Sequence, residues 1–381
     1  MTVRRAHWLG ASLLLDLLLI VWLVRGVGWA AGWTVLLVEG LAWGVRLALV
    51  NPPLLQFVVR RLLAMVPVVF IVAALGFALI QLAPGDAFSQ MSLNPNVRPA
   101  DLERLREDFG LDRPWYVQLA RYIANVLQGN FGFSQTYKAP VFALVQQRAA
   151  ATILLSGVSL LVAWGMSIPF GVIAATRQYR WPDQLISVLA FVGLAIPNFF
   201  LAFLLLFFVT STSSPPGTWL PLGGMTSMGF DELSFVGKVA DLARHLAIPV
   251  FVIATSAMAN LTRVMRARML DALSQPYIVT ARAKGQRERV VVFRHALRNA
   301  INPMITILGY QIGAIMAGSA LVEIVLAWPG LGQLILEAVL TQDQYLVVGS
   351  LLYSVILLVI GNLIADILLA ITDPRIRLGG A

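Results

Sequence analysis

The sequence predicts an all-α polytopic membrane protein with eight spans. Three observations carry that expectation. Of 381 residues, 59% are hydrophobic and only 12% charged, with a mean hydropathy of +0.80, whereas soluble domains carry about 25% charged residues. Apolar runs near the length needed to cross a bilayer, about 20 residues, recur along the chain. Lysine and arginine gather in alternate connections between those runs, the pattern of loops kept on the cytoplasmic side.

The elements are taken in chain order. Met1-Thr-Val-Arg-Arg leads into an apolar run, Leu9 to Val24, shaped like a signal peptide. No small-x-small cleavage site comes after it; Arg25 and a Gly/Trp-rich turn lead instead to a second run, Trp29 to Val50. Residues 1–53 are therefore expected to form a retained helical hairpin. Six further spans are expected at Val58–Ala83, Thr152–Ala175, Leu185–Val209, Leu246–Thr262, Ile301–Val325 and Leu346–Ile371. Alternation then places Arg60/Arg61, Arg177/Arg180, the Arg263–Arg298 loop and Arg375/Arg377 on one side. Arg4/Arg5 and Arg46 join them if the hairpin crosses twice, leaving both termini cytoplasmic.

Two outward segments remain, 84–148 and Thr210–Arg244. In the first, Arg98–Gly110 reads as a capped amphipathic helix. Another follows Pro114, with Tyr116, Leu119, Ile123 and Leu127 at helical spacing. Neither segment can build a core of its own, so both are expected to cap the outer face. Pro169, Pro197 and Pro249 are expected to kink or start helices.

The formal charge of +9 does not point to nucleic acid. Between Arg263 and Arg298 nine Lys/Arg stand against two acids, Asp271 and Glu288, with no zinc-finger spacing or aromatic platform beside them. Cysteine is absent, which removes disulfides and thiolate metal sites. His7, His245 and His295 lie in separate segments without metal-ligand spacing. A phosphate loop and a Gly-x-Ser-x-Gly elbow are both missing. The chain is expected to be no enzyme, and to use neither metal nor cofactor.

Charged groups inside spans are Asp16, Glu39, Glu323 and Asp366. Burial there is costly. Glu323 and Asp366 lie near a predicted interface, where water or a basic partner reaches them; Asp16 and Glu39 can pair within the hairpin, with Arg46 as their basic partner. Softer polar groups are Asn198, Asn260, Asn302, Thr306, Tyr310 and Gln311. Asn302, Thr306 and Tyr310 share a helix face at steps of four. That stripe either lines a hydrated path or makes interhelical hydrogen bonds, worth about 0.6 kcal/mol each.

The most informative segment is Pro276-Tyr-Ile-Val-Thr-Ala-Arg-Ala-Lys-Gly285, followed by His295-Ala-Leu-Arg-Asn-Ala300. Pro276 suits the first turn of a helix, and Gly285 the left-handed position just past its end. About two and a half turns fit between them, too short to span and too apolar for an ordinary loop. A soluble partner can grip such a shape.

This segment resembles the cytoplasmic coupling loop of ABC importer permeases, in the version of the dipeptide/oligopeptide/nickel group. The general importer pattern is Glu-Ala-Ala-x3-Gly-x9-Ile-x-Leu-Pro. Its second Ala, its Gly and its Leu match Ala281, Gly285 and Leu297, while Val279, Thr280, His295 and Arg298 replace its Glu, first Ala, Ile and Pro. The peptide group itself shows these replacements. Further marks fall in family order: Leu82-Ala-Pro-Gly-Asp86, Gly129-Asn-Phe-Gly-Phe-Ser134 with Pro140-Val141, Trp219-Leu-Pro-Leu-Gly-Gly224, Trp328-Pro-Gly-Leu-Gly332 and Asp373-Pro-Arg-Ile-Arg377. The resemblance covers about Leu54–Leu378. The hairpin lies outside it.

The resemblance implies a six-span importer permease core over 54–381, with the extra hairpin before it, in a prokaryotic cell membrane. It implies a homologous second permease, two ABC ATPase subunits and an extracytoplasmic substrate-binding protein as partners. The coupling residues are then Pro276, Tyr277, Val279, Thr280, Ala281, Arg282, Ala283, Lys284 and Gly285, within the loop 263–300. Tyr277 and Val279 are expected to enter an apolar ATPase cleft, with Ala281 packed in the same contact and Arg282 and Lys284 meeting its charge. Small peptides are the expected solute; nickel chelates and glutathione are alternatives. A stand-alone secondary transporter would need an inverted repeat or a central ion site, and an intramembrane enzyme a nucleophile with its base; neither pattern is visible.

Overall fold

A computed structural model of the chain describes residues 52–82, 113–212, 220–304, 307–308, 311 and 320–372. The N-terminal hairpin, the helix expected at Arg98–Gly110, Ala83–Asp86, Trp219 and Asp373–Arg377 lie outside the described residues. The chain divides into two compact units, 68–362 and a second formed by 1–67 with 363–381. Within the second, Arg61 Nε lies 3.2 Å from Asp366 Oδ2, so the intramembrane acid Asp366 does have a basic partner.

The first helices are α1 (Pro52–Leu82) and α2 (Trp115–Leu127). Gln81 Nε2 donates to Gln118 Oε1 (2.8 Å), and the Phe77 and Tyr122 rings lie 6.0 Å apart. The two helices therefore run antiparallel over their shared length. Between α2 and α3 (Val141–Thr176) a short hairpin pairs β1 (Phe133–Ser134) with β2 (Ala139–Pro140). Asp343 fixes it in place. Ser134 Oγ (2.6 Å) and the Thr136 backbone N–H (3.1 Å) both donate to Asp343 Oδ2, while the Leu346 N–H donates to Oδ1 (3.1 Å) and so is capped at the start of α12 (Gln344–Thr372). Gly132 is required beside it: its φ is +95°, and a Cβ there would fall 2.7 Å from the Tyr345 ring.

The expected span Leu185–Val209 is two helices, α4 (Trp181–Ala195) and α5 (Asn198–Thr212), bent by 102°. Pro197 is the cause. It has no N–H to donate and biases the preceding residue to extended backbone; Ile196 sits at φ −87°, ψ 119°. Pro67, Pro169 and Pro249 stand inside helices that continue through them, as neighbouring helices in a membrane allow.

The span expected at Leu246–Thr262 is a longer helix, α6 (Phe235–Leu273), capped by Ser234 Oγ, which accepts from the Gly237 N–H. Its 39 residues reach about 58 Å, well beyond a hydrocarbon core of about 30 Å. α3 and α6 form the centre of the bundle. Ala163, Ala175 and Ala254 are buried there beside Leu261 and Met265; the alanines are small residues that let backbones approach where no hydrophobic drive separates helix from lipid. Gly171 marks the closest approach. A Cβ on it would meet the Met265 Cβ at 2.5 Å and the Arg266 backbone N at 3.1 Å.

Beyond α6 come α7 (Pro276–Ala283), α8 (Glu288–Val290), a π-helical turn (Val291–Ala296) and α9 (Leu297–Ala300). The chain continues through α10 (Ala320–Val325) and α11 (Leu331–Leu340) into α12. Among the described residues four helices are long and apolar enough to cross a membrane, or five if α4 and α5 count as one span; the expected number of eight is not reached within that set.

Gly171→Ala is expected to lower stability by about 1–3 kcal/mol, the range for overpacking a tight contact. Thermal unfolding of the detergent-solubilised protein checks it, and an unchanged midpoint would show that α3 and α6 have room to separate.

Candidate functional site

The coupling segment folds as its ends dictate. Gln275 is extended (φ −75°, ψ 149°), Pro276 occupies the first turn, and Gly285 takes φ +70°. The Gly285 N–H donates to Arg282 O (2.9 Å) and the Gln286 N–H to Ala281 O (3.3 Å). These two bonds are the glycine-dependent stop that satisfies the last carbonyls of a helix. α7 is thus a closed unit of eight residues.

Its two faces differ. Ile278 and Ala281, three apart, are buried in the same core as Met265, Met269, Val291 and Ala296. Pro276, Tyr277, Val279, Thr280, Arg282, Ala283, Lys284 and Gly285 are exposed. The expectation for Ala281 is corrected: helical spacing turns it into the chain's own bundle, so it cannot press into a partner's cleft.

Arg282 is exposed and also makes an ion pair within the chain. Its Nη2 and Nε donate to the two Glu288 oxygens at 2.6 and 3.1 Å, a bidentate pair across the Gly285 turn. Those bonds hold the Glu288 carboxyl below its ordinary value and raise the arginine. His295 Nε2 and Gln286 Oε1, 2.7 Å apart, add a second tie between the turn and the π-helical segment. α7 is therefore fastened to α8 and the π-helical segment as well as to α6.

Of the expected path residues, Asn302 is exposed; Thr306 and Tyr310 lie outside the described residues. Nearby, Trp164 Nε1 donates to Gln311 Oε1 at 2.7 Å, so Gln311 serves as an interhelical acceptor. Asn260 is exposed and Asn198 half-buried. No group of three His, Asp or Glu that could hold a metal occurs among the described residues.

Glu323 gives the largest correction. It meets neither water nor a basic group at an interface, being fully buried. Thr152 Oγ1 donates to its Oε1 (2.8 Å) and the Gly332 N–H to its Oε2 (2.7 Å). Thr152 Oγ1 in turn accepts from the Leu331 N–H (2.9 Å). A side chain from α10 and one from α3 thus satisfy the free N–H groups that open α11, where a helix carries partial positive charge.

The Trp328-Pro-Gly-Leu-Gly332 motif makes this possible. A Cβ on Gly330 would overlap the Glu323 carboxyl carbon at 2.5 Å, and one on Gly332 the Ala320 Cα at 2.4 Å. Trp328 is fully buried and donates its Nε1–H to Ala151 O (3.0 Å). Ala327 turns the chain at φ +48°. Sequence reading missed α11, although Pro-Gly before an apolar run is a turn-then-helix signal. It also missed Asp343 and Asp183; an Asp three residues before a backbone N–H that it caps is legible for the first.

Long apolar helices, buried acids that staple helix ends and a short capped helix with one face in the bundle and the other exposed define a helical membrane protein. The chain belongs to the family described as binding-protein-dependent transport system inner membrane component: residues 167–378 match that family's model, and 54–159 match the model of its N-terminal domain. It is 41% identical over 322 residues to the oligopeptide transport system permease protein AppB of Bacillus subtilis, covering 84% of this chain and 99% of that one. A putative peptide permease protein of Brucella ovis is 37% identical over 327 residues, covering 85% and 99%. The glutathione transport system permease protein GsiC of Escherichia coli strain K12 is 35% identical over 324 residues, again covering 85% and 99%. The chain is therefore the multi-pass inner-membrane permease component of an ABC importer, a machine that also comprises a partner permease, an ATPase and a binding protein.

The geometry leads to two expected outcomes. Glu323→Ala leaves the Gly332 N–H and the Thr152 hydroxyl without their acceptor, at about 1–3 kcal/mol for each orphaned group. Thermal unfolding should show it below the wild type, with Glu323→Gln, which keeps one acceptor oxygen, in between. The Arg282–Glu288 pair is expected to respond to pH. A carboxyl held below its ordinary value favours the closed turn while ionised, and that contribution is lost as pH falls through the lowered value. A fluorophore on Lys284→Cys, the sole cysteine in the chain, should gain mobility below the ordinary glutamate range. Arg282→Gln, which removes the pair, should leave the probe mobile across the whole range and abolish that transition.

Proposed function

We propose that this chain forms, with a homologous permease, the translocation path for small peptides in an importer driven by two ATPase subunits. Supporting the solute class are the names of its relatives, which include oligopeptide, peptide and glutathione permeases; glutathione is itself a tripeptide. Both termini and the coupling loop lie in the cytoplasm in this reading, with eight spans, 1–53 as an accessory hairpin and 54–381 as the permease domain. The segment 84–148 caps the outer face, where the binding protein docks.

The observation that carries the reading is the two-faced helix α7. Ile278 and Ala281 lock it into the bundle, while Tyr277 and Val279 stand out from it. Exposed apolar side chains on a short rigid helix are knobs for an apolar cleft. Lys284, Arg287, Arg289 and Arg294, all exposed, complement an acidic rim and speed encounter. ATP-driven closure of the ATPases moves α7, and the bundle follows because α7 is part of its core. Transport thus rests on differential stabilisation of two states. Asn302, Thr306 and Tyr310 line the path in this reading, their modest polarity suited to passage rather than retention.

Val279→Asp with Tyr277→Ala is expected to abolish ATPase association and uptake while leaving the thermal stability of the permease unchanged. Ala281→Glu should instead destabilise the permease itself, because its target is the chain's own core. Co-purification of the ATPase together with thermal unfolding separates the two. Full ATPase association by the double variant would remove α7 as the docking element. For topology, a cysteine at Ser214 should react with an impermeant reagent in intact cells and one at Gln286 should not; reaction at Gln286 would reverse the assignment.

A further inference from the structure

The connection between α3 and α4 carries an exposed group of aromatic and basic side chains. It reads Arg177-Gln-Tyr-Arg-Trp-Pro-Asp183. Tyr179 has φ +63°, a conformation that bulky residues rarely adopt. The strain is held by the buried Asp183, whose Oδ2 accepts from the Tyr179 N–H at 2.9 Å. The same carboxylate takes both arms of Arg266, Nε at 2.6 Å and Nη2 at 2.8 Å. A strained backbone kept in place by surrounding structure marks a position with a use.

The outcome is a surface of one charge sign. The only acid of the segment is committed to Arg266, which leaves Arg177 and Arg180 exposed beside Tyr179 (79% exposed) and Trp181 (72%). Trp181 also begins an apolar stripe. With Leu185, Val188 and Val192 it recurs at steps of four, three and four along α4, and all four are exposed. An apolar stripe of a span ends at the level of the headgroups, the depth tryptophan and tyrosine prefer. Arg266 ties this loop to α6 seven residues before that helix ends at Leu273, so loop and coupling helix share one end of the bundle.

We propose that the Arg177–Trp181 loop binds the phosphate headgroup of an anionic phospholipid at the membrane face that carries the coupling helix. Arg177 and Arg180 pair with the phosphate, Tyr179 and Trp181 sit among the headgroups, and the Leu185–Val192 stripe lies along the acyl chains. Asp183 and Arg266 are positioning residues, since they shape the loop without touching lipid. The site anchors the permease at the depth where α7 must meet its partner.

The test uses the whole assembled transporter in phosphatidylcholine nanodiscs. Gln178→Cys, the sole cysteine of the chain, carries a fluorophore, and the quencher is a nitroxide on the headgroup of either phosphatidylglycerol or phosphatidylcholine. Quenching by the phosphatidylglycerol probe should exceed that by the phosphatidylcholine probe, with enrichment of up to about 30-fold for two arginines near an anionic lipid. Arg177→Gln with Arg180→Gln should erase the difference, and the lysine pair at the same positions should restore it. Equal quenching by both probes in the wild type would overturn the proposal. So would the absence of quenching by either, which would mean that a protein subunit covers the loop.

Discussion

The buried carboxylate of Glu323 is the constraint around which the membrane domain closes. It lies fully inside the protein and holds the Gly332 N–H and the Thr152 hydroxyl, which itself holds the Leu331 N–H. In a medium without water every backbone N–H must find its partner within the protein, and the first turn of α11 has none of its own. α3, α10 and α11 therefore meet at one point or leave several polar groups unsatisfied. Gly330 is there because the carboxylate occupies the space a side chain would need, and Gly332 because Ala320 does.

The same device recurs. Asp343 gathers the β1–β2 hairpin onto the start of α12. Asp183 gathers the α3–α4 loop onto Arg266 of α6. Asp241 accepts from both the backbone N–H and the hydroxyl of Ser227, at 2.9 and 2.6 Å, and so draws the segment before α6 against that helix. Each acid serves backbone groups at a helix end or in a connection between helices, where those groups lose their regular partners. The long helices supply packing area; the acids decide where the connections between them rest.

α7 is held in place by the same logic. Ile278 and Ala281 bury it among residues of α6 and of the π-helical segment, and Arg282 and Glu288 bridge its exit turn. A displacement applied at Tyr277 or Val279 is thereby delivered to α6 and to the segment beyond Glu288 together. Close packing ties α7 to these neighbours, since packed interiors deform little and switch between arrangements as units. The π-helical turn directly beyond the tie is a local irregularity of the kind often found at functional sites.

The membrane class, the family pattern and the bounds of α7 were all legible in the residues alone. Those depend on local signals: apolar runs, basic loops, a proline that starts a helix and a glycine that stops it. The same signals place α1, α3 and α12 to within a turn or two at one end or both, except that α3 begins eleven residues before the expected Thr152. Tertiary contacts were needed to turn Ala281 inward, to commit Arg282 to Glu288, and to make Glu323 cap a helix in place of meeting water. Each of those facts depends on which residue arrives across space, Met265 and Val291 for the first, and Thr152 from 171 positions away for the last. A carboxylate in an apolar run looks the same on paper whether a guanidinium or a helix N-terminus awaits it, and whether its desolvation is offset depends on that partner.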